Sequence, residues 1–119
     1  MTKIDKSINS KMGLDKLELG KYLRELRNLK GETLHQVSKV TDIDSPLLSK
    51  IERSERLPTS EQIKRLAKYY KISEEKLKIQ HVAEKILKVY GINDITFNAV
   101  KLVNEKLINN NKKNKKNKK

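Results

Sequence analysis

The 119-residue chain has no cysteine and no tryptophan, and it has only four glycines, two prolines and one phenylalanine. The absence of cysteine excludes disulfides, thiolate metal sites and a cysteine nucleophile. The glycines are not clustered, so the chain lacks the glycine-rich loop that cradles phosphate groups in many nucleotide-binding enzymes. With so few aromatic residues, aliphatic side chains must fill the interior of the fold.

Features of enzymes and membrane proteins are missing as well. No apolar run approaches the roughly 18–20 residues of a membrane span, and residues 1–11 lack the apolar core of a secretory signal. No paired carboxylates or nucleophile–base arrangement is visible. The two histidines, His35 and His81, lie far apart without a second ligand nearby. We therefore predict a cytoplasmic protein that is not an enzyme and that needs no cofactor or metal.

The charge of the chain is strongly positive, with a formal net value of +13. Six of the lysines lie in the tail, residues 109–119, which contains no acid, and the remainder is still basic without them. Such a balance favours polyanionic partners, either nucleic acid or an anionic membrane surface. Charge by itself does not choose between these two.

Apolar residues recur at three- and four-residue spacing from Leu17 onward, which predicts amphipathic helices. No strand-like alternation occurs, so the predicted fold class is all-α. Cap residues divide the pattern: Gly31 ends the first helix, and Thr33 with Gln36 forms a capping box for the second. The predicted helices cover residues 17–30, 34–40, 44–52, 59–70, 73 to about 90, and 94–108.

The second and third helices are short and are joined by a turn at residues 41–43. Two such helices form a DNA-binding motif, in which the second helix enters the major groove and the first helix supports the second. Asp42 lies where the turn needs a left-handed residue. The inner contacts come from Val37, Ile43, Leu48 and Ile51, and the outward positions are Ser45, Leu47, Ser49 and Lys50. This arrangement predicts a helix-turn-helix over residues 33–53.

Three stretches extend the pattern over residues 18–78: LGKYLRELRNLKGETLHQVSKV, DIDSPLLSKIERSERLP and TSEQIKRLAKYYKISEEKL. Their order and spacing resemble the Cro and phage-repressor type of helix-turn-helix, also called the xenobiotic-response-element family. The chain departs from the common family residues at Leu34, Ser38, Asp42 and Ser54. The resemblance implies a five-helix repressor-like DNA-binding domain, here with a two-helix C-terminal extension, in a regulator that acts as a dimer.

The resemblance also implies roles for individual side chains. Arg27 and Glu52 match a pair that forms a structural salt bridge in the family. The positions expected to contact DNA bases are Ser45, Pro46, Leu47 and Lys50, among which Lys50 suits guanine and Leu47 a thymine methyl. The positions expected to contact phosphates are Thr33, His35, Gln36, Ser49, Arg53 and Arg56, and these would supply affinity and salt dependence.

The predicted organisation has four parts. Residues 1–16 form a flexible arm, residues 17–78 the DNA-binding domain, residues 79–108 two further helices, and residues 109–119 a disordered Lys/Asn tail. The 79–108 helices hold more apolar residues than a small domain needs, which favours a homodimer interface. Its predicted members are Val82, Ile86, Val89, Val100, Val103 and Leu107.

Three functions remain open from the sequence. The first is a transcriptional regulator, most plausibly a repressor, that binds double-stranded DNA as a dimer on a palindromic operator. The second is an antitoxin or a partner-antagonised module, in which the C-terminal helices bind another protein. The third is RNA binding through the basic tail, which would require that removal of residues 109–119 abolish nucleic-acid binding.

Overall fold

The computed structural model describes residues 18–117 and the side chains of residues 18–112, and its regular structure over this range is entirely helical. This confirms the all-α prediction. The predicted arm at residues 1–16 lies outside the described residues. The described helices are α1 (Leu19–Lys30), α2 (Leu34–Thr41), α3 (Ser45–Glu52), α4 (Ser60–Tyr70), α5 (Glu74–Tyr90) and α6 (Asp94–Asn117).

Local sequence sets the ends of the first helices. Gly31 ends α1 in the left-handed region at φ 68°, where a residue without Cβ is favoured. Thr33 and Gln36 form the predicted capping box, in which each side chain accepts a hydrogen bond from the other residue's backbone N–H. The Asp44 carboxylate accepts from the Leu47 amide and so caps α3. These caps leave only short turns between α1, α2 and α3.

The chain divides into two compact units, one up to Lys85 and one from Ile86 onward. Within the first unit α3 packs against both α1 and α2, and α2 also packs against α4. Apolar side chains from every helix of this unit form one core, and Leu77 brings the first turns of α5 into it. The buried members are Leu19, Leu23, Val37, Ile43, Leu48, Ile51, Ile63, Leu66, Ala67 and Leu77.

Two features of the first unit were missed by the sequence analysis. The Glu84 carboxylate accepts a hydrogen bond from the Leu19 amide, at 2.5 Å, and so ties α5 to the start of α1. The compact unit therefore extends beyond the predicted boundary at residue 78. Gly20 permits a close helix crossing, because a Cβ at this position would lie 2.3 Å from the Ile51 carbonyl oxygen.

The second unit has almost no interior of its own. Thr96 is its one buried side chain among residues 86–112, and its hydroxyl donates to the Tyr90 carbonyl at 3.1 Å. Asn93 accepts a hydrogen bond from the Thr96 amide and so caps the start of α6. Residues 109–117, for which the composition predicts disorder, continue α6 in the structure. No proline or glycine follows Asp94 to stop the helix, and lysine is a good helix former.

Candidate nucleic-acid interface

The turn between α2 and α3 is tight and internally bonded. The Thr41 hydroxyl is buried and donates to the Val37 carbonyl at 2.9 Å. Asp42 adopts the left-handed conformation at φ 59°, as its position predicts, and its N–H donates to the Ser38 carbonyl. Ile43 then returns to the core. This turn fixes the direction in which α3 leaves α2.

The outward face of α3 consists of the residues that are not buried in the core. Leu48 and Ile51 are buried, whereas Pro46 and Lys50, one turn apart, are exposed. Ser45 and Leu47 are half-buried, and part of Leu47 packs against the core. Of the four predicted base-contacting residues, Pro46 and Lys50 are therefore the most accessible.

The predicted phosphate-contacting residues fall into two groups around α2 and α3. At the start of α2, Thr33, His35 and Gln36 are all exposed, and the capping box holds two of them in place. At the end of α3, Arg53 donates to the Ser49 hydroxyl and forms an ion pair with Glu55 at 2.8 Å. The remaining member, Arg56, is exposed in the following loop.

A cleft of about 150 Å³ lies between α1, the start of α2 and α3. It brings together four of the predicted residues, since its wall contains Arg27, Ser49, Glu52 and Arg53. Arg24 also lines this cleft, although the sequence pattern predicted no role for it. A signal was present, because Arg24 lies one helical turn before Arg27 and therefore on the same side of α1.

The ion pair between Arg27 and Glu52 joins α1 to the end of α3. Two bonds link the guanidinium to the carboxylate, Nε–Oε2 at 2.8 Å and Nη2–Oε1 at 3.0 Å. A third guanidinium nitrogen, Nη1, donates to the Glu32 carbonyl. Both side chains are largely buried, 15% and 7% exposed, and the Glu52 hydrogen bond raises the pKa of Arg27 above its usual value. The pair therefore fixes α3 against α1 and balances the charge of the Glu52 carboxylate.

Contacts of Tyr69, near the end of α4, link this helix to α1 and to the α1–α2 connection. The Tyr69 hydroxyl donates to the Glu32 carboxylate, which raises the pKa of Tyr69 to about 12. The Lys30 ammonium lies over the Tyr69 ring, 5.0 Å from its centre. Burial likewise raises the pKa of Tyr70. These contacts hold α4 against the α1–α2 connection.

The predicted interface residues of the C-terminal helices are mostly exposed. Ile86 is half-buried, and the other five have exposed fractions between 44% and 61%. Further large apolar side chains between residues 79 and 108 are exposed and were not predicted. These are Ile79, Leu87, Tyr90, Ile92, Ile95, Phe97, Leu102 and Ile108.

Residues 18–117 contain neither a membrane-spanning helix nor a cluster of metal ligands. No helix in this range is long and apolar enough to cross a membrane. No group of three or more histidine, aspartate or glutamate side chains within the same range is placed to hold a metal ion. His35 is exposed and His81 is half-buried, and they lie on different helices.

A family model described as a helix-turn-helix domain matches residues 18–78, which is half of the chain. The matched range begins just before α1, ends early in α5, and contains every residue predicted to contact DNA. No curated protein matches the chain.

Proposed function

Because the chain belongs to the helix-turn-helix domain family, we propose that it is a sequence-specific DNA-binding regulator. We propose further that it acts as a repressor, by occupying a palindromic operator as a dimer. The observation that carries the proposal is the face of α3, where Pro46 and Lys50 are exposed on a helix fixed by a tight turn and a largely buried ion pair. A rigid helix with an accessible outward face that carries hydrogen-bond donors such as Lys50 is what entry into the major groove requires.

Sequence choice is assigned to four residues of α3. Lys50 donates to the O6 and N7 atoms of guanine, and the Ser45 hydroxyl donates or accepts at a base edge. Pro46 has no donor and contacts only apolar edges, while the exposed part of Leu47 contacts a thymine methyl. Because this is a modest set of contacts, the spacing of half-sites and the deformability of DNA contribute to specificity.

Affinity is assigned to the residues that flank this face. One stretch of the DNA backbone is contacted by the residues at the start of α2, namely Thr33, His35 and Gln36. Another stretch is contacted by Ser49, Arg53 and Arg56, since arginine suits the bidentate geometry of phosphate. These contacts carry no base information, and they make binding dependent on salt.

Dimerisation is assigned to the C-terminal helices. Val100, Val103 and Leu107 recur at three- and four-residue spacing along α6, and all three are exposed in the single chain. Such a seam suits a second copy of the same helix. A two-fold dimer would present two copies of α3 to half-sites about one DNA turn apart. The other assigned members are Val82, Ile86 and Val89.

Selection of bound duplexes from a random DNA pool by the full-length protein tests the DNA-binding proposal. We expect enrichment of two inverted half-sites whose centres lie about 10 base pairs apart. Enrichment of a single half-site would refute the dimeric mode of binding, and a pool that stays random would refute sequence-specific binding altogether.

Sedimentation of full-length variants tests the interface. Val103→Glu places a charge within the apolar seam, and Asn98→Glu places the same charge on the opposite side of α6. We expect wild type and Asn98→Glu to sediment as dimers and Val103→Glu to sediment as a monomer. A wild-type protein that is monomeric at tens of micromolar would contradict the homodimer.

A second candidate function rests on the same exposed side chains. Their apolar surface also suits a different protein, as in an antitoxin or a regulator that a partner antagonises. A monomeric wild type in the sedimentation experiment would favour this function, in which a heterologous partner covers the C-terminal helices.

A further inference from the structure

The guanidinium of Arg53 is already engaged within the chain. Its Nε and Nη2 atoms donate to the two carboxylate oxygens of Glu55, at 2.8 and 3.2 Å, and Nη1 donates to the Ser49 hydroxyl. Arg53 and Glu55 are each about half exposed. The pairing lowers the pKa of Glu55, so this carboxylate is ionised at neutral pH. An acid therefore occupies the donors that a DNA phosphate would need.

The cleft beside this pair is suited to an anion. Arg24, Arg27 and Arg53 line it together with Ser49, and its one acid, Glu52, is matched by Arg27. The charges of Arg24 and Arg53 are thus not matched by any carboxylate that lines the cleft. The partner of Arg53 comes instead from Glu55, which does not line the cleft.

A carboxylate and a phosphate present similar pairs of oxygens to a guanidinium, and one guanidinium edge cannot serve both fully. An exposed ion pair is weak because water and salt screen it, so a phosphate within a polyanionic duplex can displace it. We propose that Glu55 competes with DNA for Arg53. In free protein Arg53 is held by Glu55. In the complex it binds a backbone phosphate at the cleft, where Arg24 supplies a second cation.

This inference rests on the proposed function, since the competing anion is the DNA backbone. The exchange lowers affinity for every duplex by a similar factor, because phosphates are the same in all sequences. Glu55 thereby reduces occupancy of non-cognate DNA without altering the choice of bases. It is a regulating residue for the DNA site and does not itself contact DNA.

Binding isotherms of Glu55→Gln on the selected duplex and on a random duplex test the competition. We expect about twofold to fivefold tighter binding to both, the range that an exposed ion pair supplies. Glu74→Gln, which breaks the exposed Glu74–Lys78 pair in α5, should change affinity by much less. Weaker binding by Glu55→Gln would overturn the proposal, because it would show that Glu55 orients Arg53 toward phosphate.

A double-mutant cycle separates competition from general repulsion by a negative charge. In an Arg53→Gln background, Glu55→Gln should lose most of its effect on affinity. An unchanged gain in that background would refute the exchange, since Glu55 would then act without Arg53. Circular dichroism of all variants checks that each is folded.

The salt dependence of binding tests the cleft. Arg24→Gln and Arg53→Gln should each reduce the steepness of the fall of the log binding constant with log salt concentration. The expected reduction in slope magnitude is about 0.9, the value for one lost phosphate contact. Lys78→Gln removes a positive charge outside the assigned DNA contacts and should leave the slope nearly unchanged. Equal slopes for Arg24→Gln and wild type would remove Arg24 from the site. A wild-type protein that binds no duplex would instead refute the proposed function.

Discussion

The two units of the chain differ in how their helices are held. Among its described residues, the unit up to Lys85 buries ten apolar side chains and fixes its helix ends with caps and a largely buried ion pair. The unit from Ile86 onward buries only Thr96 among the residues whose side chains are described, although α6 is the longest helix in this part of the chain. Helix formation and core formation are therefore separate properties. Both units form helices, but among the described residues only the first unit forms an apolar core.

The difference also separates two sources of stability. Most helices in proteins depend on packing of an apolar face, and isolated helices are marginal in water. The α6 helix has a capped start and no internal helix breaker, but its apolar side chains face solvent in the single chain. We infer that a partner, and in our proposal a second copy, supplies the packing that the first unit supplies to itself.

Truncation of matched leucines gives the largest expected contrast between the units. Leu66 is 1% exposed and Leu102 is 53% exposed. Leu66→Ala should lower the free energy of unfolding by about 2–5 kcal/mol, because it leaves a cavity in the core. Leu102→Ala should change it by less than about 0.5 kcal/mol in dilute protein. Urea denaturation followed by circular dichroism measures both, and equal losses would contradict the contrast.

Removal of one member of an ion pair should have the next largest effect. Arg27→Ala leaves Glu52 largely buried without its partner, and we expect a loss of about 3 kcal/mol. Lys78→Ala, which breaks the exposed pair with Glu74, should cost less than about 1 kcal/mol. Thermal melts of the two variants compare them. An unchanged melting temperature for Arg27→Ala would remove its structural role.

Lys50→Ala tests whether base recognition is confined to the first unit. It should cost about 1–3 kcal/mol on the selected duplex and much less on random DNA. Its sedimentation should match wild type, because self-association is assigned to the other unit. Equal losses on both duplexes would make Lys50 a phosphate contact.

Glycine substitutions should give the smallest changes in stability, with opposite signs in the two units. Asp42→Gly relieves a left-handed residue at φ 59° and should stabilise the first unit by up to about 1 kcal/mol. Asn104→Gly lies inside α6 and should lower helicity at a cost of about 0.5 kcal/mol. Far-ultraviolet circular dichroism and thermal melts distinguish the two, and a destabilised Asp42→Gly would show that the Asp42 side chain supports the turn.

Periodicity and cap residues made most of the first unit predictable. Gly31, Thr33 with Gln36, and Asp42 lie at ends and turns whose backbone chemistry is local, so the helix bounds there follow from neighbours in sequence. The outward positions of α3 followed from the same periodicity. The Lys/Asn composition of residues 109–119 predicts disorder, whereas residues 109–117 continue α6 in the structure, where no glycine or proline interrupts the helix.

The all-α class, the helix-turn-helix and the outward face of α3 follow from local sequence, since each depends on residues within a few turns of one another. The tertiary fold sets which side chains meet across distant segments. It placed Arg24 beside Arg53, brought Glu84 to the start of α1, and set Gly20 against the α3 carbonyls. Such contacts depend on how helices cross in space, and no local spacing along the chain encodes that.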